Sequence, residues 1–583
     1  MGRNFVFILS LLVLSSCFLH MRFNPVEVKA VNGHPVHNLN TGINYTTIQE
    51  AIDSPETLAG HRILVDAGTY YEHVIIHKSV SLIGENRNTT IIDGSHSGTV
   101  IIIQASYVNV TGFSIQESGT IMHTESGIYI TEGTTKNNVS NNIITGSNFG
   151  IMVEESSENT ISGNDIVTNS AIGIYFKGSA RNNASENNVK NNLFGVAIES
   201  STNTTLSGNE MNNNNRNLVI VGLNLSHYLH SIDVSNLVNG KPVYYFVNEK
   251  NLVITPATHQ EIGYLAFINS SNIKVEGLTV TNNGQGVLLA YTNNSRLTNN
   301  TFTDNNFGIY LDSSYNNTVS LNGMTRNLYS VLHAFSSNNT ISSNNITSSY
   351  CGVLLETSFN NTLDMNDIYC TEIGIYLKSS SDNEFYHNNF VDNIEHVSIS
   401  TSGYSNIWDN GIEGNCWSDY TGLDSNHDGI GDSWHETSSD NIDHYPLMGM
   451  FSSFNTSVGY HVNVISNSTI NDFEYFESNH TIKMHVSNMT ANQTFGFVRI
   501  CIPHALMNDT YHVIINDGEP YYVNYTLYDN ETHRWIYFSY QHSTLEIIII
   551  SELTTSLTPL ILLITTLLTV IAYKKKHSPY SRV

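Results

Sequence analysis

The chain has 583 residues, of which 24 are Lys or Arg and 51 are Asp or Glu, a formal net charge of −27. So few cations exclude the electrostatic footprint of a nucleic-acid binder. Charged residues make up 13 % and apolar residues 40 %, with Asn, Ser, Thr and 39 glycines supplying the remaining polarity. Without long charge runs or Pro-rich tracts, this composition does not describe a disordered chain.

At the start, Met1-Gly2-Arg3-Asn4 precedes an apolar run from Phe5 to Leu14 and then Ser15-Ser16-Cys17. A basic start followed by roughly 10–15 apolar residues spells an export signal over 1–30, with cleavage expected after Ala30. Leu14-Ser15-Ser16-Cys17 also reads as a lipobox, which would lipidate Cys17. Residues 31–60 are expected to cap a repeat domain. Within them Thr47 to Ile52 reads as an amphipathic helix over 47–60 with a capping-box start.

The repeat occupies 61–410. Five blocks of 22 residues align without a gap, 301–322, 323–344, 345–366, 367–388 and 389–410, closing on Asn322, Asn344, Asn366, Asn388 and Asn410. Apolar residues recur in phase at Ile309, Val331, Val353, Ile375 and Val397, and two positions later at Leu311, His333, Leu355, Leu377 and Ile399. A spacing of two is the strand period. Three short strands per block predict an all-β, right-handed parallel β-helix in which equivalent residues stack at about 4.8 Å. Asn at the corners tolerates the left-handed backbone region and forms amide ladders, while Gly308, Gly352 and Gly374 mark a further corner. The stretch 143–209 repeats the pattern with one spacing of 23, and 211–277 interrupts it as irregular or enlarged coils.

Beyond the coils, 411–450 is expected to cap the C-terminal end and 453–550 to form a small β-sandwich. No charged residue lies between Glu552 and Lys574. Residues 553–573 thus match a transmembrane helix, and Lys574, Lys575 and Lys576 place the tail 574–583 in the cytoplasm. The bulk of the chain is then extracellular. Sequons at Asn138, Asn203, Asn316, Asn360, Asn488 and Asn524 agree with export. Cys351, Cys370, Cys416 and Cys501 stand at no metal-ligand spacing and permit three disulfide pairings.

Three stretches carry a resemblance. Thr47-Ile48-Gln49-Glu50-Ala51-Ile52, Gly68-Thr69-Tyr70-Tyr71-Glu72 and Leu82-Ile83-Gly84 resemble the start of pectin-lyase-like β-helix proteins. The Asn-rich 22-residue coils resemble the NosD-like family, named for a nitrous-oxide-reductase accessory protein. Gly414-Asn415-Cys416-Trp417-Ser418-Asp419-Tyr420 through Asp443-His444-Tyr445-Pro446-Leu447 resembles the end of this repeat in archaeal surface proteins. The resemblance covers about residues 40–450, implies a repeat shared with carbohydrate-binding proteins and sugar hydrolases, and implies copper handling only through the family's name.

Two groups of residues carry candidate chemistry. Asp424, Asn426, Asp428 and Asp432 stand at positions 1, 3, 5 and 9 of a loop with Gly429 at 6, the spacing of a calcium turn. His435 replaces the usual Glu at 12. Along the coils, the residue between the paired inward positions faces out. Tyr129, Tyr175, Tyr310 and Tyr376 thereby form a row flanked by Glu154, Glu199, Asp312 and Glu356. Tyr faces and carboxylates in line suit an extended polysaccharide. Asp312 and Glu356, two coils apart, are the weak candidates for a glycosidase pair. The leading expectation is a membrane-anchored surface protein binding polysaccharide or a surface partner. The alternatives are a polysaccharide-degrading hydrolase or lyase on the same scaffold, and a metal accessory protein.

Overall fold

The computed structural model describes residues 33, 35–120, 125–401, 403–507, 511–541 and 543–551. The signal segment, Cys17, the 553–573 span and the lysine tail lie outside them. Among the described residues no helix is long and apolar enough to cross a membrane. The chain divides into two compact units, one running to Glu384 with Val391–Asn406, the other containing Phe385–Phe390 and Ile407 onward.

The first unit is built of coils. One coil supplies Asn138–Ser140, Ile143–Thr145 and Phe149–Glu154, and the next lays Thr160–Ser162, Asp165–Val167 and Ile172–Lys177 parallel to them. Ile151 pairs with Ile174 and Ile174 with Val196, steps of 23 and 22 residues. Further along, Ile309, Val331, Val353 and Ile375 pair in sequence and are fully buried. The 22-residue period is therefore one column in space. The helix at the N-terminal end is shorter than expected, Ile48–Asp53, because Ser54 and Pro55 end it. Thr47 caps it, and the Glu72 carboxylate accepts from the amides of Ile48 and Gln49, both at 3.0 Å.

Asparagine serves the coils as a buried ladder. Asn322 Nδ2 donates to Asn344 Oδ1 at 3.0 Å, and Asn344 Nδ2 donates to Asn366 Oδ1 at 2.9 Å. Each Nδ2 also donates to a carbonyl of the preceding coil, as Asn344 does to Val319 at 2.9 Å. The left-handed backbone belongs to a different residue, the one just before: Asn299, Leu321, Ser343 and Met365 have φ of 55–57°. The corner glycines answer a third demand. A Cβ on Gly352 would stand 2.5 Å from the Gly374 carbonyl oxygen, so the side-chain-free residue permits close approach of successive coils. The expected last block, 389–410, is not a regular coil. Asn415, not Asn410, accepts from Asn388 Nδ2 at 2.9 Å, and Trp408 instead of Ile407 is buried, stacked on Phe385 at 4.2 Å.

The interruption is narrower than 211–277. Regular pairing persists to Arg216–Val221 and resumes at Tyr264–Ile268. Between them, Leu237–Val238 pairs antiparallel with Lys241–Val247 across the turn Asn239-Gly240, both with positive φ. Paired residues share a face, and faces alternate along a strand. Val238, buried in the first core, therefore shares its face with Val243 and Tyr245, and through them with Tyr264, Ala266, Leu288, Tyr310, Leu332 and Leu354. The alternate residues Leu265, Phe267, Val287, Leu289, Ile309 and Leu311 fill the second coil block. One sixteen-stranded sheet thus runs through both blocks, with the two coil interiors on opposite faces of it.

The second unit holds two antiparallel sheets. Met450–Asn455, His461–Ser466, Phe495–Pro503, His533–Gln541 and Tyr522–Asp529 form one; Ser468–Phe476, Thr481–Asn488, Leu545–Ser551 and Tyr511–Ile515 form the other. Val464, Ile500, Ile536, Val486, Ile547 and Ile549 share the apolar core of the two sheets.

Replacing Asn344 by Ala removes the acceptor of two donors of Asn322. An unsatisfied buried polar group costs about 1–3 kcal/mol. The expected result is a clear fall in thermal midpoint for Asn344→Ala and little change for Asn345→Ala, whose side chain is exposed. Equal midpoints for the two variants would remove the ladder from the account of stability.

Candidate functional site

The outward Tyr and carboxylate residues lie on the long strands Phe149–Glu154, Ile172–Lys177 and Phe194–Glu199, and on their successors in the second block. Gly150 and Ile151 both point inward. A Cβ on Gly150 would meet Ile166 Cγ2 at 2.6 Å. Phe149 and Met152 on either side therefore point out together. With Ile172, Tyr175, Phe194, Ala197 and Val219 they form an apolar cluster of their own outside the coil core. Phe149 stacks on Tyr175 at 5.8 Å between ring centroids, and Tyr175 is 5 % exposed. It is not an open ring face.

The carboxylates beside this layer are bonded within the protein. Tyr129 Oη donates to Glu154 Oε2 at 2.6 Å, and Lys177 Nζ reaches Glu154 Oε1 at 2.7 Å. Tyr175 Oη donates to Glu199, which is buried. Burial first, then the neighbouring carboxylate, pushes both tyrosine hydroxyls well above their ordinary range. Both remain protonated donors. Glu154 and Lys177, with side chains 23 % and 39 % exposed, form with half-buried Tyr129 the part of the first-block row that solvent reaches.

In the second block the row is covered by the interrupting segment. Tyr228 Oη donates to Asp312 Oδ2, and Tyr245 Oη donates to the Tyr228 carbonyl at 2.6 Å. Tyr310, 8 % exposed, and fully buried Asp312 lie beneath this cover. Two coils on, Glu356 is buried and paired with Lys378 Nζ at 2.7 Å. The expected carboxylate pair is therefore not an open one: each acid is desolvated and already bonded. Tyr376 and Lys378 remain partly exposed at the far end of the row. Sequence reasoning missed Tyr228 and Tyr245 as the covering residues. The signal available was the Asn239-Gly240 hairpin turn running straight into Tyr244 and Tyr245.

The 424–432 loop closes on its own backbone. Asp424 accepts from the amides of Asp428 at 2.9 Å and Gly429 at 3.0 Å, Asp428 from Ile430 at 2.8 Å, and Asp432 from Ser425 at 2.8 Å. Asn426 Nδ2 donates to Asp428 Oδ2 at 3.1 Å. Burial raises the Asp424 carboxyl above its ordinary value. Among the described residues no group of three or more His, Cys, Asp or Glu lies close enough to hold a metal ion. Cys351, Cys370, Cys416 and Cys501 are all free thiols.

Residues 75–238 match the family model described as a right-handed β-helix region, and residues 223–422 match the one described as periplasmic copper-binding protein (NosD). The two models meet where the strand sense reverses. A cell surface glycoprotein of Methanothermus fervidus is 32 % identical over 173 residues, 24 % of this chain and 28 % of that protein. The match thus spans little more than a quarter of the relative's length. The tailspike protein of E. coli bacteriophage HK620, solved with a pentasaccharide, superposes over 89 % of this chain and 92 % of its own at 9 % identity and a TM-score of 0.33. A periplasmic alginate epimerase superposes over 60 % and 84 % at 11 % identity and a TM-score of 0.23. At such scores neither superposition defines a site here. Coil register makes the first unit a parallel β-helix of repeated coils, similar over 75–238 to the right-handed β-helix model and over 223–422 to the NosD model.

One buried group gives a pH test. His333 stands between Leu311 and Leu355 in the second core, fully buried, with neither ring nitrogen hydrogen-bonded; Asn361 approaches without bonding geometry. Burial lowers its pKa to about 3. The unfolded chain binds a proton below about 6.5 and the folded chain does not until about 3. The stability this histidine contributes is therefore complete above 6.5 and is lost as pH falls towards 3, by about 1.4 kcal/mol per pH unit. His333→Leu is expected to melt higher than the parent at pH 7, with the gap widening at pH 4. A constant or shrinking gap would contradict the buried neutral imidazole.

Proposed function

We propose that this chain is displayed on the outside of the cell, held at the surface by the 553–573 span, and that its β-helix binds polysaccharide or a neighbouring surface component without chemistry. The observation that carries this reading is the set Tyr129, Glu154 and Lys177 on three successive coils. It combines a half-buried ring with a half-buried acceptor and donor fixed by each other. Sugar rings pack on Tyr faces and exchange hydroxyl hydrogen bonds with such groups. Tyr376 and Lys378 offer a half-buried ring and donor at the other end of the sheet, with the acceptor Glu356 buried. Tyr175, Tyr310 and Glu199 act in this reading as the buried layer that sets the outer residues in line. The similarity of one segment to a cell surface glycoprotein supports the location.

The second reading, a hydrolase or lyase, rests on Asp312 and Glu356. Their burial and bonding argue against it, because a catalytic acid must reach substrate. Calcium at Asp424, Asn426, Asp428 and Asp432 stays a proposal resting on the spacing of the loop, with the structural role of pinning the 411–450 segment.

Two measurements test these readings. Residues 31–551, screened on an array of acidic and neutral glycans, are expected to bind without product, with at least a ten-fold loss in Tyr129→Ala/Tyr376→Ala. Undiminished binding removes the row, and new reducing ends or unsaturated products favour the enzyme. For the loop, the thermal midpoint is expected to rise with millimolar calcium and fall with chelator, and Asp424→Asn/Asp428→Asn is expected to abolish the difference. A midpoint indifferent to calcium would end the metal reading.

A further inference from the structure

One corner of the second coil block presents the same tripeptide on three consecutive turns: Asn316-Asn317-Thr318, Asn338-Asn339-Thr340 and Asn360-Asn361-Thr362. The structure divides the work within each. The middle residues Asn317, Asn339 and Asn361 point inward and form a buried ladder, Nδ2 to Oδ1, at 3.2 Å per step. The first residues Asn316, Asn338 and Asn360 occupy the left-handed region with φ of 54–57° and are exposed. Their side-chain amides make no hydrogen bond among the described residues. The threonines open the following strand, half-buried.

The same corner of the first block is chemically different. There the left-handed residues Lys136, Glu158 and Arg181 are tied to one another as ion pairs at 3.7 and 2.9 Å, and the next turn carries exposed Asn203 with Thr205 two residues on. Three successive turns of that corner are thus made with paired charges. At Asn316, Asn338 and Asn360 the second block instead carries neutral, unbonded amides, each with a hydroxyl two residues on, the acceptor pattern for N-linked glycans; Asn272 on the same column is bonded to Asn251 at 3.2 Å and has Lys274 at that place.

We propose that Asn316, Asn338 and Asn360 form a column of N-glycan acceptors, and that crowding along the column limits attachment to alternate coils. In the transfer, Nδ2 forms a bond to the anomeric carbon of a lipid-phosphate-linked oligosaccharide. The bond from that carbon to the phosphate oxygen breaks, the lipid phosphate leaves with the electron pair, and the amide proton passes to the transferase. Neighbouring acceptors stand about 4.8 Å apart, one strand spacing, which is narrower than a pyranose ring with its substituents. Asn316 and Asn360 are separated by about 9.6 Å, two spacings, so both accept a glycan together. A glycan on Asn338 excludes both neighbours. The modification adds to the proposed binding function and is independent of it, since this corner lies on a different strand edge from Tyr129 and Tyr376.

The test is glycopeptide mapping of the full chain produced in an archaeal host that N-glycosylates a co-expressed control acceptor, with a protease that leaves two or three of these asparagines on one peptide. Expected are molecules carrying glycans on both Asn316 and Asn360, or on Asn338 alone. Peptides with adjacent sites filled should be at least ten-fold rarer than independent occupancy would give. Asn316→Gln/Asn360→Gln should raise occupancy at Asn338 several-fold, with an unchanged thermal midpoint showing that the coils are intact. An empty column while the control acceptor is filled overturns the acceptor assignment. Adjacent filling at the independent rate overturns the exclusion.

Discussion

Everything in the coiled unit depends on one constraint: each turn must end in register with the turn before it, so that every backbone amide finds a carbonyl one coil away. A parallel ladder with hydrophobic contents leaves its corners as the weak points, because there the chain turns and backbone groups lose their strand partners. The buried asparagines solve this at the corners themselves. One side chain accepts from the backbone and side chain of the preceding coil and donates to the next. An inserted or missing residue displaces the ladder, so an amide column enforces a fixed turn length. Where the length does change, the asparagine follows it, as at Asn415 after a 27-residue step from Asn388.

Reversal of strand sense at Asn239-Gly240 has a consequence for the surface. A sheet with both coil interiors on one side would leave its other side wholly in solvent. With the interiors on opposite faces, the residues that fill the first block continue as the outer row of the second. Leu288, Tyr310, Leu332 and Leu354 accordingly join one cluster with Val189, Met211 and Val238. That row is apolar because it is the continuation of a core, and it needs a cover. Tyr228 and Tyr245 provide it over part of its length, with the hydroxyl of Tyr228 placed on the carboxylate of Asp312.

The period and the inward columns were legible because they rest on sequence spacing alone: Ile309 to Ile375 is visible as a 22-residue step and equally as a stack. The division of labour among polar corner residues was not. Asparagine both forms ladders and tolerates left-handed backbone, so composition cannot say which property a given Asn is used for. The structure assigns the ladder to Asn322 and Asn344, and the left-handed bend to Leu321 and Ser343. Alternation also placed Tyr175 and Tyr310 outside the coil correctly. Whether outside means exposed depends on what else packs there, and for Tyr310 that is a segment more than sixty residues earlier in the chain. No local pattern encodes it.

The carboxylates of the row show how a β-helix limits its own chemistry. Side chains in one column are held at a strand spacing, close enough for a Tyr or Lys on one coil to reach an acid on the neighbouring coil. Glu154, Glu199 and Glu356 are all met in this way, by Tyr129 and Lys177, by Tyr175, and by Lys378. Acids so engaged suit positioning and recognition better than proton transfer, which requires a group able to change partner during the reaction. A catalytic pair on this scaffold would need acids left without such neighbours and facing solvent together.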